Sequence, residues 1–323
     1  MKNAMLILAI LVSGTGLTFT AAFAQVYPSK PIRFVVGYAA GGGTDTMARA
    51  VASKLPELLG QQVLVENRPG ANANLAAEYV ARQPADGHTV LFISVSHAMS
   101  KSVYGNLGYD IESDYIPITL VGEVPNLLAV HPSLPVKTVA DLVRLGRKNA
   151  EPVTFAVAGV GSPGHFAGEM LNMAAGTRLS VIPYKGGGPL ATDLMAGHVM
   201  ATFNAMPPLL PLVRSQRVRA IAVSTSKRSA ALPQVPTVAE SGVAGYAVST
   251  WYGCVVRTGT SPDIVSKLHA ATLRSIADPK VRDTLTNSGT IILGGSSSDV
   301  AAFIKSEVAK YARIAAKAAI RIQ

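Results

Sequence analysis

The stretch Tyr27–Arg49 constrains the fold of this chain more than any other, because it reads as a strand, a glycine loop and a helix. The apolar run Ile32–Val36 is short enough for a buried strand. Gly41, Gly42 and Gly43 follow it, and such residues allow positive φ angles and expose backbone N–H groups. A glycine loop that opens a helix offers these N–H groups to a small anion.

The predicted helix begins directly after this loop. Thr44 is expected to be its N-cap, and Asp45 suits the positive end of the helix dipole. Pro56 lies inside the apolar periodicity, so it is expected to kink the helix or to end its first part.

Predicted strands alternate with predicted helices along the rest of the chain, which indicates an α/β fold. The predicted strands are 63–65, 89–93, 126–130, 153–157, 179–182, 199–203, 218–223 and 249–256; the predicted helices are 75–82, 138–149, 165–175, 190–196, 261–277 and 298–319. The alternation restarts near Asn126. We therefore expect two Rossmann-like lobes with mixed, mostly parallel sheets joined by a hinge. Residues 25–125 and 250–323 would form lobe 1, and residues 126–249 lobe 2, with chain crossings at 124–126 and 248–251.

The first residues have the pattern of an export signal. Lys2 precedes an apolar run at 5–12, and Ala22-Phe23-Ala24 has the form of a cleavage site. We expect cleavage after Ala24, which would leave a periplasmic chain that starts at Gln25. The apolar run is too short to span a bilayer, and no later stretch is long and apolar enough to do so, so no direct insertion into a membrane is expected.

Charge and cysteine content narrow the function classes. The formal net charge of +10 favours anionic ligands, but the Lys and Arg residues are dispersed, so nucleic-acid binding is not indicated. Cys254 is the only cysteine of the chain, which excludes an intramolecular disulfide. Among apolar neighbours it is interpreted as a small buried hydrophobic residue.

Ligands of open parallel sheets bind beyond the carboxyl ends of the strands. The loops predicted at these ends are 38–45, 94–100, 158–165, 184–189 and 204–207, and all are rich in Gly, Ser, His or Asn. Only Asp45 and Lys185 bring charge to them. Each loop alone is equally well read as a tight turn, but together they favour a cleft for a small carboxylate. Tyr38 directly precedes the glycine loop and is expected to line this cleft. Trp251 and Tyr252 are interpreted as core residues at the hinge.

Two enzyme readings compete with a binding protein. Gly159, Gly161 and Gly164 match the dinucleotide fingerprint G-x-G-x-x-G, but the next strand ends without the acidic residue that this fingerprint needs. Ser162 and His165 suggest an exported hydrolase, yet the nucleophile elbow fails because Val160 stands where its first glycine belongs. Ser162 is more simply an N-cap. His165 is left open between contact with a ligand carboxylate and capping of the same turn.

Metal and cofactor chemistry is not indicated. The six histidines are scattered, without an H-x-x-x-H pair or a cysteine partner. His88 and His198 follow turn glycines and are expected to be exposed to solvent.

Several motifs resemble one family of transport receptors. They are Tyr27-Pro28, Pro31-Ile32-Arg33, Ala40-Gly41-Gly42, Asp45, Ala48-Arg49, 66–71, 86–89, 131–135, Pro183-Tyr184-Lys185-Gly186, Asp193-Leu194, 197–199, 232–240 and Trp251-Tyr252-Gly253. In these segments the chain resembles the substrate-binding proteins of tripartite tricarboxylate transporters, also called the Bug family. The resemblance covers essentially the whole mature chain.

The resemblance implies a periplasmic binding protein of the type II architecture that captures a small organic anion and delivers it to membrane transporter subunits. It implies no catalysis and no cofactor, and we expect a monomer. A receptor that docks on a membrane sensor instead is an open alternative. The expected ligand-binding residues are Tyr38, Ala40, Gly41, Gly42, Gly43, Thr44, Asp45, Ser94, Ser96, His97, Gly161, Ser162, His165, Tyr184, Gly186, Gly187 and Asn204.

The chain departs from the family pattern at three positions. The family often has Pro at the position of Gly37, Tyr at that of His88 and Asp at that of Asn204. An aspartate would accept a hydrogen bond from a substrate amino group, so Asn204 favours a plain carboxylate over an amino acid.

Overall fold

The structure is a computed structural model that describes residues 26–41, 43–148, 153–184 and 186–321. The expected signal peptide at 1–24, Gly42 and Lys185 lie outside the described residues. In the part of the chain that is described, no helix combines the length and the apolar character needed to cross a membrane.

The described residues form an α/β structure. Its strands are β1 (Ile32–Val36), β2 (Val63–Asn67), β3 (Thr89–Ser94), β4 (Tyr115–Val130), β5 (Val153–Val157), β6 (Leu179–Pro183), β7 (Ala201–Ala205), β8 (Arg219–Val223), β9 (Ser249–Arg257) and β10 (Ile291–Ile292). Its helices are α1 (Gly43–Leu59), α2 (Asn74–Ala81), α3 (Val95–Val103), α4 (Val139–Lys148), α5 (Pro163–Ala175), α6 (Gly187–Ala196), α7 (Met206–Arg214), α8 (Pro262–Ala277), α9 (Pro279–Asn287) and α10 (Ser297–Ala318). A 3₁₀ turn at Ala71–Ala73 precedes α2.

The strands follow the order β2-β1-β3-β9-β4-β7-β5-β6, and β8 and β10 also pair with β4. Parallel pairs join β1 to β2 and β3, and β5 to β6 and β7. All pairings of β4 and β9 are antiparallel. The sheet is therefore mixed, as expected, but less parallel than expected.

The long strand β4 connects two sets of strands. Its residues Tyr115–Pro125 pair with β9, and Asn126–Val130 pair with β7. The register between β4 and β9 shifts at two places, Pro117/Thr119 and Leu120/Gly122, as it does at a β-bulge. The predicted crossing at 124–126 thus falls within one continuous strand, at the point where its partner changes.

The opening strand, loop and helix are present as predicted, with two differences. Helix α1 already includes Gly43, so Thr44 lies in its first turn and is not the N-cap. Pro56 lies inside α1, which continues to Leu59 and does not end at the proline. The ring of Pro56 removes one hydrogen-bond donor, but the residues around it still bury an apolar face, which includes Val51 and Leu55.

Three helical segments were missed by the sequence prediction. Helices α3 and α7 begin in segments that were expected to be loops, and α9 was not predicted at all. Pro207 and Pro208 suggest a break, yet the first turn of a helix needs no N–H partner, so α7 accommodates both. In α3, Ser94 is the N-cap, and serine at this position stabilises the first turn of a helix. The helix can therefore begin within a serine-rich segment.

The solvent exposure of three side chains tests predictions from the sequence: one, for His88, is wrong, and two, for His198 and Cys254, are confirmed. The prediction that His88 is exposed is wrong: only 7% of the residue is exposed. Tyr27 packs edge-on against its ring, and its Nε2 accepts the N–H of Ser29 at 3.2 Å. The side chain of His198 is 70% exposed, as predicted. Cys254 is fully buried, as predicted, and burial raises the pKa of its thiol.

Candidate functional site

A cavity of about 720 Å³ lies where several helices begin. Its wall includes the first residues of α1, α3, α5, α6 and α7, or the residue just before them. These helices follow β1, β3, β5, β6 and β7, so the cavity lies beyond the carboxyl ends of these strands, as expected. Each helix start carries a partial positive charge from the helix dipole and unpaired N–H groups.

The glycine loop before α1 forms one wall. Gly41, Gly43 and Thr44 line the cavity, and the φ of Gly41 is 81°. The N–H of Gly41 donates to Asp45 Oδ2 at 2.8 Å, which holds the loop against the helix. This left-handed turn explains the glycine, because a side chain would strain the backbone there.

Asp45 accepts this hydrogen bond from the side of the loop away from the cavity and is not part of the cavity wall. It is 2% exposed, and it accepts hydrogen bonds from Arg49 Nε at 2.9 Å and Asn67 Nδ2 at 2.8 Å. Burial alone would raise the pKa of Asp45, but the hydrogen bonds from Arg49, Gly41 and Asn67 hold it below its usual range.

The start of α3 forms a second wall. Ser94 and Ser96 line the cavity, and the Tyr38 hydroxyl lies 3.3 Å from Ser94 Oγ. His97 is fully buried behind them, and its Nδ1 accepts the N–H of Ser94 at 3.1 Å. Burial lowers the pKa of His97 to about 4, so its imidazole is neutral at pH 7.

The start of α5 faces the cavity through Ser162, while His165 lies behind the wall. Ser162 Oγ caps the helix by accepting the N–H of His165 at 3.3 Å. His165 Nδ1 accepts the N–H of Gly161 at 3.0 Å. This is the capping arrangement, one of the two roles left open for His165, and contact of its ring with a ligand carboxylate stays a prediction. The serine hydroxyl bonds to the backbone of His165, not to its ring, so the nucleophile–base pair of a hydrolase is not formed.

The starts of α6 and α7 close the opposite side. Gly186, Gly187 and Asn204 line the cavity. Asn204 Nδ2 donates to the carbonyl of Gly187 at 3.2 Å, and its Oδ1 accepts the N–H of Ala205 at 3.0 Å. Tyr184 is outside the wall, and its hydroxyl donates to Asp193 Oδ2 at 2.7 Å.

The floor contains residues that sequence reasoning missed. Asn126 in β4 and Thr250 in β9 both line the cavity where the pairing of β4 changes. Asn126 is 1% exposed, and its Oδ1 lies 3.4 Å from the Thr250 hydroxyl, which donates to it. Among the described residues, the Nδ2 atoms of Asn126 and of Asn72, another wall residue, have no hydrogen-bond partner. The only signal in the sequence was a polar residue at the start of a predicted buried strand.

The structure brings together many of the predicted site residues. Those that line the cavity are Tyr38, Gly41, Gly43, Thr44, Ser94, Ser96, Ser162, Gly186, Gly187 and Asn204. Those outside its wall are Ala40, Asp45, His97, Gly161, His165 and Tyr184. Within the described residues, the wall has no Lys, Arg, His, Asp or Glu, and no cluster of three metal-ligating side chains occurs.

A second depression, of about 860 Å³, lies between the start of α4, β8 and residues 234–241. Its wall includes Lys137 and Arg219. The Arg219 guanidinium is already bonded to the carbonyls of Pro132, Leu134 and Val136. In the first cavity, by contrast, the described residues leave two buried amide groups of the wall, on Asn72 and Asn126, without a hydrogen-bond partner.

The mixed sheet and the cavity of helix starts define the class of periplasmic binding proteins, and solved structures agree. Rpa4515 from R. palustris, solved with adipate, is 35% identical, with a TM-score of 0.82 over 91% of this chain and 99% of that one. The periplasmic binding protein BugD is 33% identical, with a TM-score of 0.80 over 92% of this chain and 100% of that one. MatC from Rhodopseudomonas palustris, solved with malate, is 29% identical, with a TM-score of 0.78 over 89% of this chain and 99% of that one.

Residues 47–320 match the model of the tripartite tricarboxylate transporter family receptor. The chain belongs to this family. The predicted resemblance and the predicted fold class are therefore confirmed.

Proposed function

We propose that the protein is an exported, non-catalytic receptor that binds a small dicarboxylate in the cavity and delivers it to a tripartite tricarboxylate-type membrane transporter. One observation carries the proposal: five helices begin around a single cavity whose described wall has no charged side chain. Such a site has positive potential without a cationic side chain, which suits reversible binding of an anion. The adipate and malate bound by two relatives support a dicarboxylate as the ligand class.

The ligand is held by neutral donors. The Nδ2 groups of Asn72 and Asn126 are buried donors without a partner among the described residues, and they gain one when a carboxylate binds. Hydroxyls of Ser94, Ser96 and Ser162 lie in the same wall. Hydrogen bonds to an ionised acceptor are shorter and about twice as strong as neutral ones, so several of them hold a dianion without an arginine clamp.

Binding closes two lobes around the ligand. Residues 25–125 and 250–323 form one lobe and residues 126–249 the other, with hinges at 124–126 and 248–251. The proposal is supported by the wall itself, because α1 and α3 come from the first set of residues and α5, α6 and α7 from the second. A ligand that contacts both lobes stabilises the closed form.

Binding is tested by calorimetric titration with adipate and L-malate, with adipamide as a neutral control. We expect both dicarboxylates to bind and adipamide to fail, because it lacks the negative charge. If a panel of C4–C6 dicarboxylates gives no heat and no shift in melting temperature, the proposed ligand class is wrong. Turnover of generic esters that is lost in Ser162→Ala would support the hydrolase instead.

Export and delivery are tested in cells and vesicles. Fractionation with N-terminal sequencing is expected to find a periplasmic chain that begins at Gln25. Uptake of labelled dicarboxylate into vesicles that contain the transporter subunits is expected to require the receptor. A full-length cytoplasmic product would contradict export, and uptake independent of the receptor would contradict delivery.

A further inference from the structure

The same four-residue pattern occurs at two of the helix starts around the cavity. Ser94-Val95-Ser96-His97 opens α3, and Ser162-Pro163-Gly164-His165 opens α5. In both, the serine is the N-cap and the histidine is the third helical residue. The serine lines the cavity, and the histidine is buried behind it, 0% exposed at position 97 and 9% exposed at position 165.

The two imidazoles make equivalent hydrogen bonds. His97 Nδ1 lies 3.1 Å from both the amide nitrogen and the carbonyl oxygen of the N-cap residue Ser94, and it is the acceptor of the N–H when the ring is protonated on Nε2. His165 Nδ1 accepts the N–H of Gly161, the residue just before the N-cap, at 3.0 Å. A nitrogen that accepts a backbone N–H carries no proton, so the neutral ring of His165 has its proton on Nε2, and we assign the same tautomer to His97 by analogy. Burial favours the same neutral form at both positions.

This arrangement has a consequence for the helix starts. Each histidine pairs the N–H of a residue ahead of the helix and fixes the turn that leads into it. The N–H groups of the first helical turn are then held in one orientation beside the cavity. The turn before α5 depends on this contact, since Gly161 has a φ of 72° and its N–H is buried.

We propose that His97 and His165 are paired positioning residues of the ligand site, which hold the starts of α3 and α5 so that both present N–H groups and a serine to an anion. The inference rests on the proposed function and deepens it. One Ser-x-x-His turn comes from residues 25–125 and the other from residues 126–249. The anion is therefore bound by a Ser-x-x-His turn from each of the two proposed lobes, and neither histidine contacts it.

The test is calorimetric titration of adipate into single variants of both histidines. We expect His97→Leu and His165→Leu each to weaken binding about tenfold, which is the effect of one lost hydrogen bond of ordinary strength. His97→Asn and His165→Asn are expected to bind within about threefold of wild type, because asparagine Oδ1 can accept the same N–H. His198→Leu, an exposed site outside the cavity wall, is the matched control and should not change binding.

Equal adipate binding by wild type and both leucine variants would overturn this inference and leave the proposed function intact. Failure of wild type to bind any carboxylate would overturn the proposed function and the inference together. If a leucine variant does not fold, the asparagine variants and ¹⁵N NMR of the wild-type imidazoles decide. We expect both Nδ1 resonances at the position of an unprotonated nitrogen at pH 7, and a protonated Nδ1 in either ring would overturn the inference.

Discussion

Trp251 Nε1 donates a hydrogen bond to Glu307 Oε2 at 2.8 Å and so joins β9 to α10. Trp251 is fully buried, Glu307 is 6% exposed, and Lys310 forms an ion pair with the same carboxylate. The contact anchors the C-terminal helix to the strand that leads away from the predicted crossing at 248–251. Trp251 is thus a core residue, as the sequence suggested.

Trp251→Phe is expected to lower the free energy of unfolding by about 2–4 kcal/mol, because it removes volume and leaves a buried carboxylate with one donor fewer. Urea unfolding of Trp251→Phe, Glu307→Gln and the double variant measures their coupling, expected at about 1–2 kcal/mol. Glu57→Gln on the exposed side of α1 is the additive control. Additivity of Trp251→Phe with Glu307→Gln as well would contradict the energetic role of the bond.

Asn126→Asp is expected to weaken adipate binding about a hundredfold at pH 7. The change keeps the acceptor for Thr250 but converts the unpaired Nδ2 donor into a negatively charged oxygen beside the anion. Titration calorimetry measures the loss, and circular dichroism checks that the variant is folded.

Asn106→Asp makes the same change in net charge on an exposed residue outside the cavity wall, so it should bind like wild type. Unchanged affinity in a folded Asn126→Asp variant would mean that this amide does not face the ligand.

The stability of the protein is expected to fall as the pH drops from about 6.5 towards about 4. The pKa of His97 is lowered to about 4 in the fold, so the unfolded chain takes up the proton first and is favoured in this window. The contribution of His97 to the free energy of unfolding falls by about 2 kcal/mol between pH 7 and pH 5. The pKa of His165 is also lowered, so its contribution changes in the same direction.

Urea unfolding at both pH values measures this loss. In His97→Asn the pH-dependent loss should shrink by about 2 kcal/mol. An equal loss in wild type and His97→Asn would show that this ring does not carry the pH dependence.

Gly164→Ala is expected to lower the free energy of unfolding by about 2–3 kcal/mol, because the new Cβ would overlap the carbonyl oxygen of Phe203 in β7. Gly188 is the matched control, since it is also the second residue of a helix and no atom of the described residues lies within 4 Å of an added Cβ. Gly188→Ala should be neutral or stabilising by up to about 1 kcal/mol. Similar urea midpoints for the two variants would refute the close packing of α5 on β7.

Ligand binding is expected to reduce the radius of gyration measured by small-angle X-ray scattering, because a dicarboxylate that bridges both proposed lobes favours the closed form. The comparison is between ligand-free protein and protein saturated with adipate. The control is the Asn126→Asp variant at an adipate concentration of about ten times the wild-type Kd, where a hundredfold weaker binder is only about 10% occupied and should scatter nearly like the free protein. An unchanged radius in saturated wild type would contradict closure.

Local sequence signals determined much of this structure. The opening strand, glycine loop and helix, most of the other elements and the burial of Cys254 followed from periodicity and turn residues, which act over a few positions. Most of the cavity-lining residues predicted from the sequence followed from one rule, that ligands bind beyond the carboxyl ends of strands. The family motifs gave the class of receptor.

The tertiary structure decided what depends on distant contacts. His88 looked exposed after a turn glycine, but Tyr27 covers it from 61 residues away in the sequence. Asn126 looked like the start of a strand, and only the change of partner along β4 makes it part of the cavity floor. His97 and His165 were among the expected site residues, and the structure places both rings behind the cavity wall, each within hydrogen-bond distance of a backbone N–H. A side chain forms a hydrogen bond only with a partner that lies within hydrogen-bond distance. Because folding sets these distances, only the tertiary structure shows which partner is in reach.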